Sequence, residues 1–193
     1  AGAISLSPLE ARAEPRNLRR LKKAVRAKWG VVPLLDMLKE TALRTGMLEA
    51  FTGVGTREAI TTEELWERLI LVIYAYGTNT GLRRAAAGEH AYSEDDLRYI
   101  RRRYFTIEGA RGAARAIANA TFAIRSEAIW GQGSTAVGSD STHVKAFDQN
   151  LFTEWHSRYG GRGVLIYWHI EERSMAVHSQ LLSCSASEVH AMV

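Results

Sequence analysis

The chain carries 193 residues, 46% hydrophobic and 24% charged, with a formal net charge of +4. That balance excludes an intrinsically disordered chain and suits one large domain or two small ones. The longest apolar run, Leu69 to Tyr76, falls far short of the roughly 20 residues a membrane span needs, and the opening residues do not read as a signal peptide. A lone Cys184 excludes an internal disulfide and a cysteine-cluster zinc site, and fits a reducing compartment. The sequence opens on Ala1 and stops at Val193 without a terminating pattern, so it is expected to be an excerpt.

Ser7, Pro8 and Glu10 form a helix-start signature. A basic helix is expected from there to about Lys28, ending near Gly30. Arg12, Arg16, Arg19, Arg20, Lys22, Lys23, Arg26 and Lys28 stand there against Glu14 alone. Such a face is either solvated surface or a phosphate-binding surface. Pro33 to Thr45 predicts a second helix, with Leu34, Leu35, Leu38 and Leu43 apolar and Gly46 as its stop. Gly53 and Gly55 mark a loop. Thr61 and Glu64 are spaced as a capping box and open a helix to about Tyr76. Gly77 to Gly81 interrupts it, and Leu82 to Ala87 is a short helix. Ser93 begins another, acidic in its first turn at Glu94, Asp95 and Asp96 and basic in its last at Arg101, Arg102 and Arg103, which complements the helix dipole at both ends. A longer helix follows from Ile107 to Ala128, its start weakened by Gly109 and Gly112.

The pattern changes after Trp130. A short strand is expected at Ser134 to Asp140, a stronger one at Gly163 to Ile170, and an alternating one at Met175 to Leu182 after a turn at Glu171 to Ser174. Ser185 and Glu188 are spaced as a capping box for a final helix. His169 and His178 fall on neighbouring strands, where facing histidines are more often structural than metal ligands. The fold class expected is α+β, with a helical region over 1–130 and a sheet-forming region over 131–193.

Asp140 is the carboxylate to single out. At a strand end it could hold a divalent cation, although one aspartate is more commonly a turn or cap residue. Asp148, Glu154 and His156 match no metal-ligand spacing. Polar and aromatic residues alternate from Phe147 to Tyr159, which suits either a surface that stacks bases and contacts phosphates or a loop packed over a sheet. Gly160-Gly161-Arg162-Gly163 lacks the lysine of a phosphate-binding loop. Cys184 has no partners for nucleophilic catalysis.

Ser139-Asp140-Ser141 and the run from Asp148 to His169 resemble the transposases of the Tn-three family, the large replicative transposases of bacterial class II elements. The stretches Tyr76 to Leu82, Asp96 to Tyr104 and His178 to Val189 are similar as well, so the resemblance spans nearly the whole chain. It departs at Thr142-His143-Val144 and Phe147, where many relatives carry basic and tryptophan residues. The resemblance implies a ribonuclease H-like catalytic core with an Asp-Asp-Glu triad that binds Mg2+ or Mn2+. It makes Asp140 the first aspartate, on the first of three strands of an incomplete sheet. The other two carboxylates would lie beyond this chain, and Glu188 follows the third strand too closely to be one of them.

The resemblance further implies 3′-end cleavage and strand transfer on transposon-end and target DNA by a homo-oligomer of the complete enzyme. It implies a bacterial cytoplasmic protein at the nucleoid, with no membrane and no small-molecule substrate. Arg101, Arg102, Arg103, Lys145, Arg158 and Arg162 are the cations expected to contact DNA. The alternative is a catalytically inactive DNA-binding or regulatory remnant of a transposase.

Overall fold

The computed structural model describes residues 13–51, 60–131, 136–172 and 175–192. Within them the fold is α+β: seven α-helices precede a four-stranded antiparallel sheet. The loop glycines Gly53 and Gly55 and the Ser7 to Glu10 helix start lie outside the described residues.

Helix α1 (Leu18–Trp29) begins later than the basic pattern alone suggests. Pro15 lies inside the expected helix and cannot donate an i to i−4 bond; its carbonyl instead accepts from Leu18 N at 2.9 Å in a turn. No residue of α1 is buried, so it stands as a solvated cationic rod. Helix α2 (Leu34–Thr45) ends where Gly46 takes the left-handed conformation, φ 64°, and returns its N–H to the Ala42 carbonyl at 3.0 Å. One 3-10 turn, Met47–Ala50, then inserts Met47 and Leu48 into the core.

Helix α3 (Thr62–Gly77) opens with the expected capping box, the Thr61 hydroxyl and the Glu64 carboxylate each bonding the other's backbone N–H. Its central residues Leu69 and Val72 are fully buried. After the glycine break, α4 (Leu82–Ala86) and α5 (Glu94–Arg103) fold back against it, α5 starting on a second box between Ser93 and Asp96. The Ser93 hydroxyl, at 2.6 Å, and then the Ser93 backbone N–H, at 2.8 Å, donate to the Asp96 carboxylate and hold its pKa below the usual range. Leu97, Ile100 and Tyr104 complete the helical core with Phe51.

Helix α6 (Ile107–Ile124) is shorter than the expected span to Ala128. Arg125 leaves it in an extended conformation, ψ 125°, and a separate turn α7 (Glu127–Trp130) follows. The glycines at its start are packing requirements. A Cβ on Gly109 would stand 2.6 Å from the Phe51 ring, and one on Gly112 would stand 2.8 Å from the Ala50 Cβ.

The sheet is centred on β3 (Gly161–Glu171). Strand β1 (Val137–Lys145) pairs along one edge, and β4 (Ala176–Leu182) pairs along the other. A three-residue strand β2 (Glu154–His156), absent from the pattern reading, continues the β4 edge past Gly163. Strand β1 runs five residues beyond the expected end at Asp140, because Thr142 and Val144 keep the alternation that pairs with β3. The β3–β4 hairpin carries a bulge at His169/Ile170. The Ser185–Glu188 capping box does not form: Ser187 precedes the 3-10 turn Glu188–Ala191, and the Glu188 carboxylate accepts from the Ser141 hydroxyl at 2.7 Å instead.

The close approach at Gly109 gives an expected outcome. Gly109→Ala should gain about 1 kcal/mol of helix propensity and lose more to the collision with a buried ring, for a net destabilisation of about 1–2 kcal/mol. Gly77→Ala meets no atom within 4 Å and should be neutral or slightly stabilising. Denaturant unfolding of the two variants checks this; equal midpoints would contradict the packing assigned to Gly109.

Candidate active-site carboxylate and nucleic-acid interface

Alternation along the strands sorts the sheet residues onto two faces. Leu165 and Tyr167 point to one face and are buried. The chain's own C-terminal segment covers that side: Gln180 Nε2 donates to the Ala191 carbonyl at 3.0 Å, and Cys184 Sγ lies 3.3 Å from the Gly163 carbonyl. Burial pushes the Cys184 thiol up, with the Glu154 charge acting the same way, which leaves it a poor nucleophile. His169 and His178 do face each other there, ring centroids 5.5 Å apart, and His169 Nδ1 sits 2.9 Å from the Ser139 hydroxyl.

Asp140 points to the opposite face. It lies in the middle of β1, not at the strand end expected from the sequence, and forms one row with Trp168 and Ser179 across the sheet. It is exposed, and its Oδ1 accepts from the neighbouring Ser141 N–H at 2.8 Å. A turn or cap role is therefore removed. Glu188, bonded to the Ser141 side chain, is held under the other face.

The remaining acidic candidates are occupied elsewhere. Asp148 pairs with Arg162 at 3.1 Å, and both are solvent-exposed. Hydrogen bonds from the Ser185 hydroxyl, then from the Ser185 backbone N–H and the Ser183 hydroxyl, hold the Glu154 carboxyl below the usual range. His156 Nδ1 accepts from Arg158 N. Among the described residues no three His, Cys, Asp or Glu side chains gather as a metal site. Asp140 has the charge and exposure of a single cation ligand; the described residues alone do not fit a complete metal centre.

The expected DNA-contacting cations fall into two places. Lys145 and Arg162 sit beside the same Gly163 end of the sheet, opposite and next to it respectively, with Arg158 in the 3-10 turn that leads in. Arg158 packs over Tyr159, and Tyr159 stacks on His143 with ring centroids 4.4 Å apart. Arg101 and Arg102 instead line a groove of about 1440 Å³ between the helical region and the open sheet face, while Arg103 is half-buried on the same helix. Sequence reasoning missed the other groove cations, Arg111 and Arg115. Their i, i+4 spacing on α6 was the available signal.

Helices packed beside an antiparallel sheet, with Asp140 exposed on its first strand, define an α+β protein. Residues 36–193 match the family described as Tn3 transposase DDE domain, and the chain belongs to that family. It is also similar to a protein from Streptomyces fradiae named transposase for transposon Tn4556, at 27% identity over 135 residues. That alignment covers 70% of this chain and 15% of the relative, so the chain spans a small part of the relative's length. Among the described residues no helix is long and apolar enough to cross a membrane.

Glu154 offers a pH test of the local geometry. Its folded pKa is depressed, so its contribution is present above the ordinary glutamate range and is lost as pH falls through the folded value. The Ser185 amide resonance should titrate with a midpoint below that ordinary range, and Glu154→Ala should abolish its protection from hydrogen exchange. A midpoint in or above the ordinary range would contradict the contact.

Proposed function

We propose that this chain is part of a DNA transposase and that Asp140 supplies one of the carboxylates that hold a divalent cation, Mg2+ or Mn2+, in the complete enzyme. The observation that carries the reading is the position of Asp140. Aspartate is unfavourable in strands, yet this one occupies the centre of β1 and makes a local bond that asparagine could also make. Among the described residues its charge has no ion-pair partner, and the family supplies a reason for it. The other carboxylates of the site would come from outside residues 1–193. When bound, the metal would activate the attacking oxygen and stabilise charge on the phosphate. Residues 1–130 would be the scaffold, and residues 131–193 the opening of a ribonuclease H-like catalytic domain.

The reaction proposed for the whole protein is 3′-end cleavage followed by strand transfer into target DNA, by a homo-oligomer acting at the bacterial nucleoid. This chain's own part is to present Asp140 on the open sheet face and to supply cations for the phosphates. Full-length Asp140→Asn should lose cleavage and strand transfer by at least about a thousandfold while keeping its melting temperature and end binding, since only the charge is removed. Transposition near the wild-type rate would refute the assignment.

The chain by itself should neither nick nor join transposon ends, because a single carboxylate cannot organise two metals. Its DNA binding should be weak, steeply salt-dependent and indifferent to sequence. Titrations with transposon-end and scrambled duplexes at two salt concentrations check this. A clear preference for the ends would contradict it, and nicking that Asp140→Ala removes would show a complete site.

A further inference from the structure

The groove between α6 and the open sheet face has a composition that the catalytic reading does not use. Its helical wall carries Arg111 and Arg115, one turn apart, and Arg102 enters from α5. All three are exposed; Arg111 has Glu108 at a loose 3.5 Å. Facing that wall are Trp168 on the sheet, half-buried, and Phe152 in the turn before β2, 54% exposed at a backbone φ of 67°. Trp168 is the strand neighbour of Asp140 on the same face, so the groove leads up to the candidate carboxylate.

Cations along one wall and aromatic faces along the other make up the recognition chemistry of unpaired nucleic acid: phosphates take the guanidinium groups, and bases stack on the rings. Two arginines four residues apart on a helix stand about 6 Å apart along its axis, comparable with successive phosphates of an extended strand. A duplex presents its bases edge-on within grooves and would leave flat aromatic faces without partners. We propose that this groove binds a single DNA strand, with phosphates on Arg102, Arg111 and Arg115 and bases against Phe152 and Trp168, and so delivers it to Asp140. The assignment rests on the reading of Asp140 given above.

The test uses the full-length transposase and short oligo(dT) substituted with 5-iodouracil, a base that crosslinks to aromatic side chains on irradiation. Crosslinks should map to the peptides holding Phe152 or Trp168. Arg111→Gln combined with Arg115→Gln should weaken oligo(dT) binding on the order of tenfold at low salt and flatten the log–log salt slope by about 1.4, two phosphates at roughly 0.7 each. Phe152→Ala should reduce crosslinking without altering that slope.

Asp140→Asn should leave oligo(dT) binding and crosslinking at wild-type levels while losing cleavage. Survival of cleavage in that variant would sink the catalytic reading independently of the groove. Crosslinks confined to other peptides, or arginine variants that bind oligo(dT) like wild type, overturn the groove. A lowered melting temperature with unchanged binding overturns it too, and shows that a protein segment fills the space.

Discussion

The arrangement of the helical region against the sheet depends on one buried ion pair. Arg125 Nη1 meets Glu171 Oε2 at 2.8 Å, with the two side chains 14% and 6% exposed. The guanidinium lies between aromatic rings, 4.9 Å from the centroid of Phe122 and 5.2 Å from that of Trp130. Desolvating two charges is costly, and such a pair often stabilises no more than an apolar replacement would. Removing one partner is different: it strands a charge in a dry site, at a cost of about 3–5 kcal/mol. The pair therefore acts mainly to specify geometry. It explains why α6 stops at Ile124, since Arg125 must leave the helix to reach the end of β3.

That contact sets what the open sheet face can do. With the end of α6 tied to the end of β3, the helix passes beside β4 and leaves a groove over Ile166 and Trp168. Small residues on α6, Ala110, Ala114 and Ala118, keep the space from closing. The opposite face has no such freedom, because Cys184 and Ala191 of the same chain pack over it. The sheet is closed on its structural side and open on the side that carries Asp140.

Much of the helical region was legible because its signals are local. The Thr61–Glu64 box, the helix start at Ser93 with its acidic first turn, and the Gly46 stop are decided within four residues of sequence. The errors arose where distant partners decide. The break at Arg125 is set by Glu171, 46 residues away, and the use of Glu188 by Ser141, 47 residues away. Gly109 and Gly112 read as weak helix positions because their reason, the approach of Phe51 and Ala50, lies in another element. Strand β2 has three residues, too few to show a period of two. The candidate carboxylate was singled out at an expected strand end and given its role by resemblance, and its mid-strand setting became visible only with the β1–β3 register.

Register is what makes that setting chemically meaningful. In a strand a slip of one residue exchanges the two faces, so it would bury Asp140 beside Tyr167 and expose Ser141. Two contacts oppose the slip. Ser139 meets His169 Nδ1 across the β1–β3 pair at 2.9 Å. At the other end of the ladder, the chain comes so close to Gly163 that a Cβ there would lie 2.4 Å from the Val144 carbonyl and 2.3 Å from His143 Nε2. Only glycine fits opposite Lys145, and a slip would bring a side chain into that gap. His169 and Gly163, towards the two ends of the ladder, thus fix which face of the sheet the carboxylate occupies.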